Sequence, residues 1–179
     1  MAILRAQRDR PSAVFAAAGL LLSEIFEADY ARLVNASQAL VGDRRDAEDV
    51  VQEALARSYT AWNKKGVPPE PAAYVRVAVV NLSRNSARRR SLSRIRRPEP
   101  AERIEDPEQA VIDRAEHGRV FAAIASLPRR QRECVALRYL LDASVAQTAE
   151  ALEISEGSVK THTHRALRTL ETLLEVDSQ

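Results

Sequence analysis

Apolar residues early in the chain recur at the three- and four-residue intervals of an α-helix. Across residues 24–41 this row consists of Ile25, Phe26, Tyr30, Leu33, Val34, Leu40 and Val41. The spacing predicts a helix, and Gly42 stands where that helix would end. The residues before it, 1–25, contain a further apolar run that predicts either an extra N-terminal helix or a flexible arm.

The next two helices are predicted from caps and breakers as well as from periodicity. The second helix is predicted to begin with Asp46 as its N-cap residue, since acidic residues are favourable at the positive end of the helix dipole. Its predicted buried row is Ala47, Val50, Val51, Ala54, Tyr59 and Trp62. Glycine and proline in residues 63–71 predict a loop, and a third helix is predicted over residues 71–90.

The second half of the chain predicts four more helices, at residues 113–126, 128–141, 144–152 and 155–175. Residues 96–109 are rich in proline and charge and have no apolar period, which predicts a linker. Extended, such a linker reaches roughly 50 Å, so the two halves could act at separate points. With 45% apolar but only 4% aromatic residues, the composition favours helices over a sheet sandwich.

The predicted fold is therefore all-α, with two small helical domains joined by a flexible linker. Its predicted divisions are an N-terminal extension at 1–25, a first domain at 26–97, a linker at 98–112 and a second domain at 113–175.

The last two predicted helices are joined by a tight turn, which is typical of a helix-turn-helix domain. The final helix has Ser155 as N-cap, and Gly157 keeps its first turn small. Its predicted inward row is Val159, Thr163, Ala166, Leu167, Leu170, Leu173 and Leu174. Its other face carries Ser158, Lys160, Thr161, His162, His164, Arg165 and Arg168. Such a face is suited to the DNA major groove, although charged outer faces are also common on ordinary solvated helices.

Charge is distributed unevenly, although the net charge is only +2. Residues 71–98 contain no acid, and they include eight arginines: Arg76, Arg84, Arg88, Arg89, Arg90, Arg94, Arg96 and Arg97. The following stretch is acidic. This distribution predicts different partners at different places, with an anionic partner meeting mainly guanidinium groups.

Several classes of function find no support in the sequence. Cys134 is the only cysteine, so an internal disulfide and a cysteine-based zinc site are excluded, and its apolar setting predicts a buried thiol. His162 and His164 would point about 200° apart on a helix, so they cannot share a metal ion. No nucleophilic triad, phosphate loop or carboxylate pair is recognisable. We expect no enzyme, no cofactor, no metal and no small-molecule substrate.

The N-terminus resembles a secretory signal in outline, because arginines precede an apolar run. The run is too short to span a membrane, and no clean cleavage site follows it. We therefore expect a cytoplasmic protein.

These segments together resemble one family, the extracytoplasmic-function (ECF) sigma factors of bacterial RNA polymerase. In the second half, "LPRRQRECVALRYLLDASVAQTAEALEISEGSVKTHTHRAL" resembles the family's region 4 nearly throughout. In the first half, "GDRRDAEDVVQEALARSYTAW" is similar to its core-binding segment, and "AYVRVAVVNLSRNSARRR" to its promoter-melting helix. The resemblance covers about residues 26–174, with both parts in the family's order, which is more specific than either motif alone.

The resemblance implies three sets of site residues. Those implied to dock on the clamp helices of the largest subunit of core RNA polymerase are Asp46, Glu48, Asp49, Gln52 and Glu53. Those implied to bind and melt the promoter −10 element are Asn63, Lys64, Lys65, Tyr74, Asn81, Arg84, Arg88, Arg89 and Arg90. Those implied to read the −35 element are Ser155, Gly157, Ser158, Lys160, Thr161, His162, His164, Arg165 and Arg168. The implied partners are core RNA polymerase, promoter DNA and an anti-sigma factor.

Taken alone, some of these residues have simpler interpretations. The acids after Asp46 also suit a capped, solvated helix face, and Asn81 also suits an ordinary helix asparagine. The chain departs from the family pattern at a few positions: Tyr74 replaces a usual tryptophan, Asn85 a frequent aspartate, Asp142 and Glu153 frequent glycines, and His162 a common arginine.

Two other classes of regulator remain as alternatives. "SVKTHTHRAL" is also similar to the recognition helix of LuxR-type regulators, but that family would place a receiver or sensing domain first, and residues 1–110 show no alternating β/α pattern. A metal- or redox-controlled regulator would use Cys134 and the histidines. It predicts sensitivity to metals or oxidants, which a sigma factor does not require.

Overall fold

The computed structural model describes the backbone of residues 10–96 and 111–176, and the side chains of residues 15–89 and 118–175. The described residues form seven α-helices and one short π-helical segment. The α-helices are α1 (Arg10–Val41), α2 (Arg44–Lys65), α3 (Pro71–Arg96), α4 (Val111–Ser126), α5 (Arg129–Val135), α6 (Val145–Leu152) and α7 (Glu156–Val176); the π-helical segment, Ala136–Leu140, follows α5 directly. The predicted all-α class is confirmed, while most of the predicted linker lies outside the described residues.

The first helix is longer than predicted. α1 runs without a break across residues 10–41, so the described part of the N-terminal extension is continuous with the predicted helix at 24–41. Gly42 ends α1 as predicted, with a φ of 86° that favours glycine. Asp43, not Asp46, is the N-cap residue of α2, and its carboxylate accepts a hydrogen bond from the Asp46 N–H at 3.0 Å. The prediction of Asp46 was wrong because α2 begins directly after the turn at Gly42.

The core of the N-terminal half lies between α1, α2 and α3. Its largest fully buried side chains are Leu33, Val34, Val51, Trp62, Val75, Val79 and Val80. A buried hydrogen bond of 2.9 Å joins the hydroxyls of Ser37 and Ser83, which fixes α1 against α3. Tyr59 was predicted to be buried but is exposed, because the buried stripe of α2 passes through Ser58 instead.

The C-terminal half contains the predicted helix-turn-helix, formed by α6 and α7. Ser144 caps α6 in a reciprocal capping box with Gln147, as its sequence position indicates. The tight turn between the two helices passes through Glu153, which has a left-handed φ of 54°. Val159 and Ala166 of the predicted inward row are fully buried, whereas Leu167 and Leu173 are exposed. The helix therefore buries a narrower face than predicted.

The two halves pack against each other, and α1 contacts both. Ala39 of α1 lies in an apolar cluster with Ile124, Leu127, Val135 and Ala166 of the C-terminal half. α1 also contacts the π-helical segment. One helix thus forms part of both cores, an arrangement that the linker prediction did not anticipate. In the described part of the chain, no helix is long and apolar enough to span a membrane.

Candidate nucleic-acid and protein interface

The exposed face of α7 is a continuous stripe of small and basic residues. Its members lie three or four positions apart, so they share one side of the helix: Gly157, Lys160, Thr161, His164, Arg165 and Arg168. All six are exposed. The opposite side is closed by the fully buried Val159 and Ala166. The structure thus brings together most of the residues predicted for the −35 element.

The N-terminus of α7 is held in shape by its own hydroxyl groups. The Ser155 hydroxyl accepts a hydrogen bond from the Ser158 N–H at 3.1 Å, and the two hydroxyls lie 2.8 Å apart. The Thr161 hydroxyl donates to the Gly157 carbonyl at 2.9 Å. Ser155 satisfies the Ser158 N–H, and the N–H groups of the first residues of α7 have no acceptor within the helix. They lie at the positive end of the helix dipole, where a phosphate would be favourable.

His162 is the predicted −35 residue that the structure does not bring onto this stripe. At 100° per residue it lies about 130° around the helix axis from the centre of the stripe, towards the buried side. It is half-buried, and its Nδ1 atom has no hydrogen-bond partner among the described residues. A base contact from His162 would need the ring to turn out of this position.

One cationic residue beside the stripe was not predicted from the sequence. Arg138, in the π-helical segment, borders an open groove of about 250 Å³ together with Lys160 and His164. Its guanidinium donates a hydrogen bond to the carbonyl of Ala143, just before α6. Arg138 falls outside the final helix in the sequence, so helix periodicity could not have assigned it to this surface.

The candidate −10 surface lies on α3, where Tyr74, Asn81 and Arg88 recur at seven-residue intervals. Seven residues are nearly two helical turns, so the three exposed side chains form one line, about 21 Å long. Arg89 is exposed beside Arg88, and the side chain of Arg90 lies outside the described residues. Along the line, the aromatic Tyr74 is followed by the polar Asn81 and then by the cationic Arg88.

The basic end of α2 meets the start of this line. Trp62 is buried, and its ring packs edge to face on that of Tyr74, with the ring centroids 5.9 Å apart. This contact fixes the end of α2 against the first turn of α3. Lys64 and Lys65 are exposed, and Asn63 is half-buried with no hydrogen-bond partner for its Oδ1 atom among the described residues. The residues predicted from the loop and from α3 are therefore neighbours.

Arg84 is the predicted −10 residue whose side chain contacts both halves, because its Nη1 atom donates a hydrogen bond to Asn81 Oδ1 at 3.3 Å. The side chain also points into the C-terminal half, where its Nε atom lies 3.0 Å from the carboxylate of Glu133 in α5. Glu133 is only 1% exposed, and it also binds Arg129 at 2.8 Å and Arg130 at 2.9 Å. Sequence reasoning missed Glu133, although a single acid within "RRQRE" was a visible signal of a buried, arginine-paired carboxylate.

The acidic face of α2 carries the residues predicted for core-polymerase docking. Asp49, Gln52 and Glu53 are exposed side by side, three and four positions apart. Glu48 pairs with Arg44 at 3.0 Å and Glu53 with Arg57 at 2.5 Å, both within the helix. Asp46 is half-buried beside its cap. The exposed acids form a compact patch that faces away from the buried stripe.

Cys134 is fully buried, as its place on an apolar row predicted. Burial, with a smaller effect of Glu133, raises the pKa of its thiol to about 11. At neutral pH the sulfur is therefore a protonated thiol, which is a poor nucleophile. Among the described residues, no group of three or more metal-ligating side chains is clustered.

We expect the native protein to resist thiol reagents at pH 8 and to react fully only in denaturant. Because folding favours the protonated thiol, this contribution to stability is complete below the unfolded pKa of about 8.5 and is lost as the pH rises towards 11. A timed reaction with a chromogenic disulfide, with and without urea, measures this. Fast labelling of the folded protein would favour a redox role for Cys134.

The fold and surfaces define a class of protein: a two-part helical DNA-binding protein with a helix-turn-helix at its C-terminal end. Comparison with protein families assigns it more closely. Residues 25–93 match the model of sigma-70 region 2, and residues 117–170 match that of sigma-70 region 4.

Full-length relatives agree with this assignment. The chain is 34% identical over 157 residues to the RNA polymerase sigma-E factor of Streptomyces antibioticus, covering 87% of this chain and 86% of the relative. It is 32% identical over 175 residues to the ECF RNA polymerase sigma factor SigL of Mycobacterium tuberculosis, covering 93% and 96%. The chain therefore belongs to the ECF sigma factor family, whose members are regulatory DNA-binding proteins.

A solved structure shares the fold. The sigma factor RpoE of Bartonella quintana, in complex with the anti-sigma factor NepR, superposes with a TM-score of 0.71 at 20% identity, over 89% of this chain and 97% of that one.

Proposed function

We propose that this ECF sigma factor binds core RNA polymerase and directs promoter-specific initiation, with α7 reading the −35 element and α3 recognising and melting the −10 element. The observation that carries this proposal is the α7 stripe, which combines small residues at the helix start with cationic side chains along one face. A helix with this profile enters the major groove with its N-terminal residues near base edges. Lys160 and Arg165 are the base or phosphate contacts, and Arg168 extends the positive charge along the backbone.

The line on α3 supports the proposed −10 role. Tyr74 offers a stacking surface, Asn81 can hydrogen-bond to the edge of a flipped base, and Arg88 and Arg89 neutralise phosphates of the separated strand. Asn63, Lys64 and Lys65 border the same place, so they complete the candidate pocket. Arg84 borders this set through its hydrogen bond to Asn81 at 3.3 Å, while its Nε atom lies beside Glu133.

The acidic patch of α2 supports the proposed docking on polymerase. Asp49 and Glu53 are exposed together with the neutral Gln52, and the two carboxylates suit a basic surface on the clamp helices of the largest subunit. Solved relatives of the same fold include a sigma factor bound to an anti-sigma factor, which supports such a partner here as well. The proposed site of action is the cytoplasm, where the polymerase transcribes.

Run-off transcription tests the proposal as a whole. Purified protein, bacterial core RNA polymerase and a pooled library of upstream sequences are combined, and the transcripts are sequenced. Promoter-specific transcripts that require the protein are expected, and they give its −35 and −10 sequences. If the protein neither associates with core polymerase nor directs transcription, a stand-alone regulator is the better description.

Arg165→Ala is expected to weaken binding to duplex DNA carrying the −35 sequence by about tenfold, because one good contact to a base is worth roughly 1–3 kcal/mol. Association with core polymerase is expected to remain unchanged, since Arg165 lies on the opposite domain from the acidic patch. Fluorescence anisotropy with duplex DNA and with polymerase measures the two affinities.

Arg119→Ala is the matched control, because Arg119 is an exposed arginine of the same half but lies on α4. It removes the same charge and is expected to change −35 binding by less than about twofold. Equal losses from both variants would show that α7 contributes only general charge. Equal losses of DNA and polymerase binding by Arg165→Ala would contradict the division of roles.

A further inference from the structure

Among the described residues, the interface between the two halves combines an apolar contact with three polar bridges. The apolar part includes Ala39 of α1 against Leu127 and Val135. The bridges join side chains far apart in the sequence. They are the ion pair of Arg32 with Asp142, the ion pair of Arg84 with Glu133 at 3.0 Å, and the hydrogen bond from Gln147 to Glu70 at 3.1 Å. This arrangement is called the closed form below.

The closed form and the proposed promoter-bound form exclude each other. Elements named −10 and −35 lie about 25 base pairs apart, or roughly 85 Å of B-form DNA at 3.4 Å per base pair. The longest described element, α1, has 32 residues and is therefore only about 48 Å long. Because α3 and α5 meet through Arg84 and Glu133 and both halves pack on α1, we expect the halves to separate when both elements are bound.

The position of Arg84 also distinguishes the closed form from the proposed promoter-bound form. In the closed form the Nε atom of Arg84 lies 3.0 Å from Glu133 as an ion pair without hydrogen-bond geometry, and its Nη1 atom donates a hydrogen bond to Asn81. The side chain is only 23% exposed. A guanidinium with these two partners has fewer free N–H groups for a phosphate of the −10 strand. Glu133 thus competes with a phosphate for Arg84, since both offer anionic oxygens.

Asp142 is an interface residue with a left-handed backbone. Its φ is 49°, in the region that glycine adopts freely and that aspartate tolerates better than most other residues do. Its carboxylate reaches across the interface to Arg32. The hydrogen bond to Asp142 raises the pKa of Arg32. Arg32 is also 3.9 Å from Asp29, which binds Arg76 of α3 at 3.1 Å. An alternating series of four charges therefore links α3, α1 and the turn before α6.

We infer that the Arg32–Asp142 ion pair is a latch that stabilises the closed form and so keeps Arg84 on Glu133 and away from promoter DNA. The inference rests on the proposed function for its consequence on DNA, but the closure itself is a property of the free protein. Opening, by polymerase or by DNA, breaks the latch and releases Arg84.

Asp142→Gly breaks the latch without strain, because glycine is favoured at this φ. Arg32→Ala breaks it from the other side. The two changes alter net charge in opposite directions, by +1 and −1. General electrostatic attraction therefore predicts opposite effects on DNA binding, whereas the latch predicts that both variants bind single-stranded DNA more tightly.

The matched control is Glu153→Gly. Glu153 has nearly the same backbone conformation, with a φ of 54°, and the change removes the same charge as Asp142→Gly. Glu153 makes no ion pair with any described residue that would join the two halves. The Glu153→Gly variant is expected to leave the ratio of open to closed molecules unchanged.

The first measurement is single-molecule energy transfer between dyes on two introduced cysteines, Ala56→Cys on α2 and Thr169→Cys on α7, in the full chain. Both positions are exposed, and the native Cys134 is buried. We expect Asp142→Gly and Arg32→Ala each to raise the ratio of open to closed molecules about two- to fivefold, the effect of losing an exposed ion pair. Unchanged ratios in both variants, or the same rise in Glu153→Gly, would overturn the latch.

The second measurement is the affinity of the free protein for a fluorescein-labelled 15-nucleotide oligo(dT). A gain in affinity from Asp142→Gly and from Arg32→Ala is expected, and adding Arg84→Ala to either variant is expected to remove that gain. Affinities that simply follow net charge, falling for Arg32→Ala, would overturn the link between latch and DNA. Failure of the proposed function would appear in the run-off transcription experiment. The energy-transfer measurement tests the latch separately, because it needs neither polymerase nor promoter.

Discussion

Trp62→Ala is expected to lower the free energy of unfolding by about 3–5 kcal/mol, the usual loss when a fully buried aromatic side chain is truncated. Trp62 is 1% exposed and lies where the end of α2 meets the first turn of α3. Its ring packs edge to face on that of Tyr74, with the ring centroids 5.9 Å apart. Urea denaturation followed by far-UV circular dichroism measures the loss.

Two other variants serve as controls for the loss expected in Trp62→Ala. Tyr59→Ala, three positions earlier on the same helix, removes an exposed aromatic ring and is expected to cost about 1 kcal/mol or less. Trp62→Phe retains an aromatic ring, and the indole N–H that it removes has no acceptor among the described residues. It is expected to cost less than about 1.5 kcal/mol. Similar losses for Trp62→Ala and Tyr59→Ala would contradict the packing described for α2 and α3.

Replacing Arg88, Arg89 and Arg90 together with alanine is expected to flatten the salt dependence of promoter binding. For single-stranded DNA the slope of log K against log salt is about 0.7 per phosphate contact, so losing three contacts lowers its magnitude by about 2. At about 0.05 M salt the affinity is expected to fall on the order of 100-fold. The measurement is a salt titration of holoenzyme on a promoter recovered by run-off transcription.

The triple change to lysine is the matched control. It retains three positive charges but replaces the planar guanidinium groups, so the slope is expected to stay within about 0.5 of the original. If the alanine variant retains the original slope, these arginines do not contact phosphates, and the end of α3 has another role.

Local chemistry was predicted well from the sequence. Gly42 and Ser155 end or cap their helices as predicted, because each acts through its own backbone or that of residues within one turn. The wrong prediction of Asp46 as the N-cap residue also concerns residues within one turn. Two aspartates three positions apart could both cap a helix, and the turn at Gly42 decides in favour of Asp43.

Contacts between the halves could not be predicted in the same way. Arg84 and Glu133 are 49 positions apart, and Arg32 and Asp142 are 110 apart, so no periodicity links them. Arg84 was assigned to DNA by its neighbours in the sequence, whereas the structure gives its side chain an intramolecular partner. The charge pattern thus identified an anion-binding arginine, but not which anion it meets in the closed form.

The backbone at Asp142 has an evolutionary consequence. Aspartate and glycine codons differ by a single nucleotide, and glycine suits a φ of 49° at least as well as aspartate does. One point mutation can therefore remove the cross-domain ion pair while leaving the turn before α6 intact, and the reverse mutation can restore it. Lineages could gain or lose this restraint on opening without passing through a misfolded ancestor, and relatives with an acid at this position are expected to retain a cation where Arg32 stands.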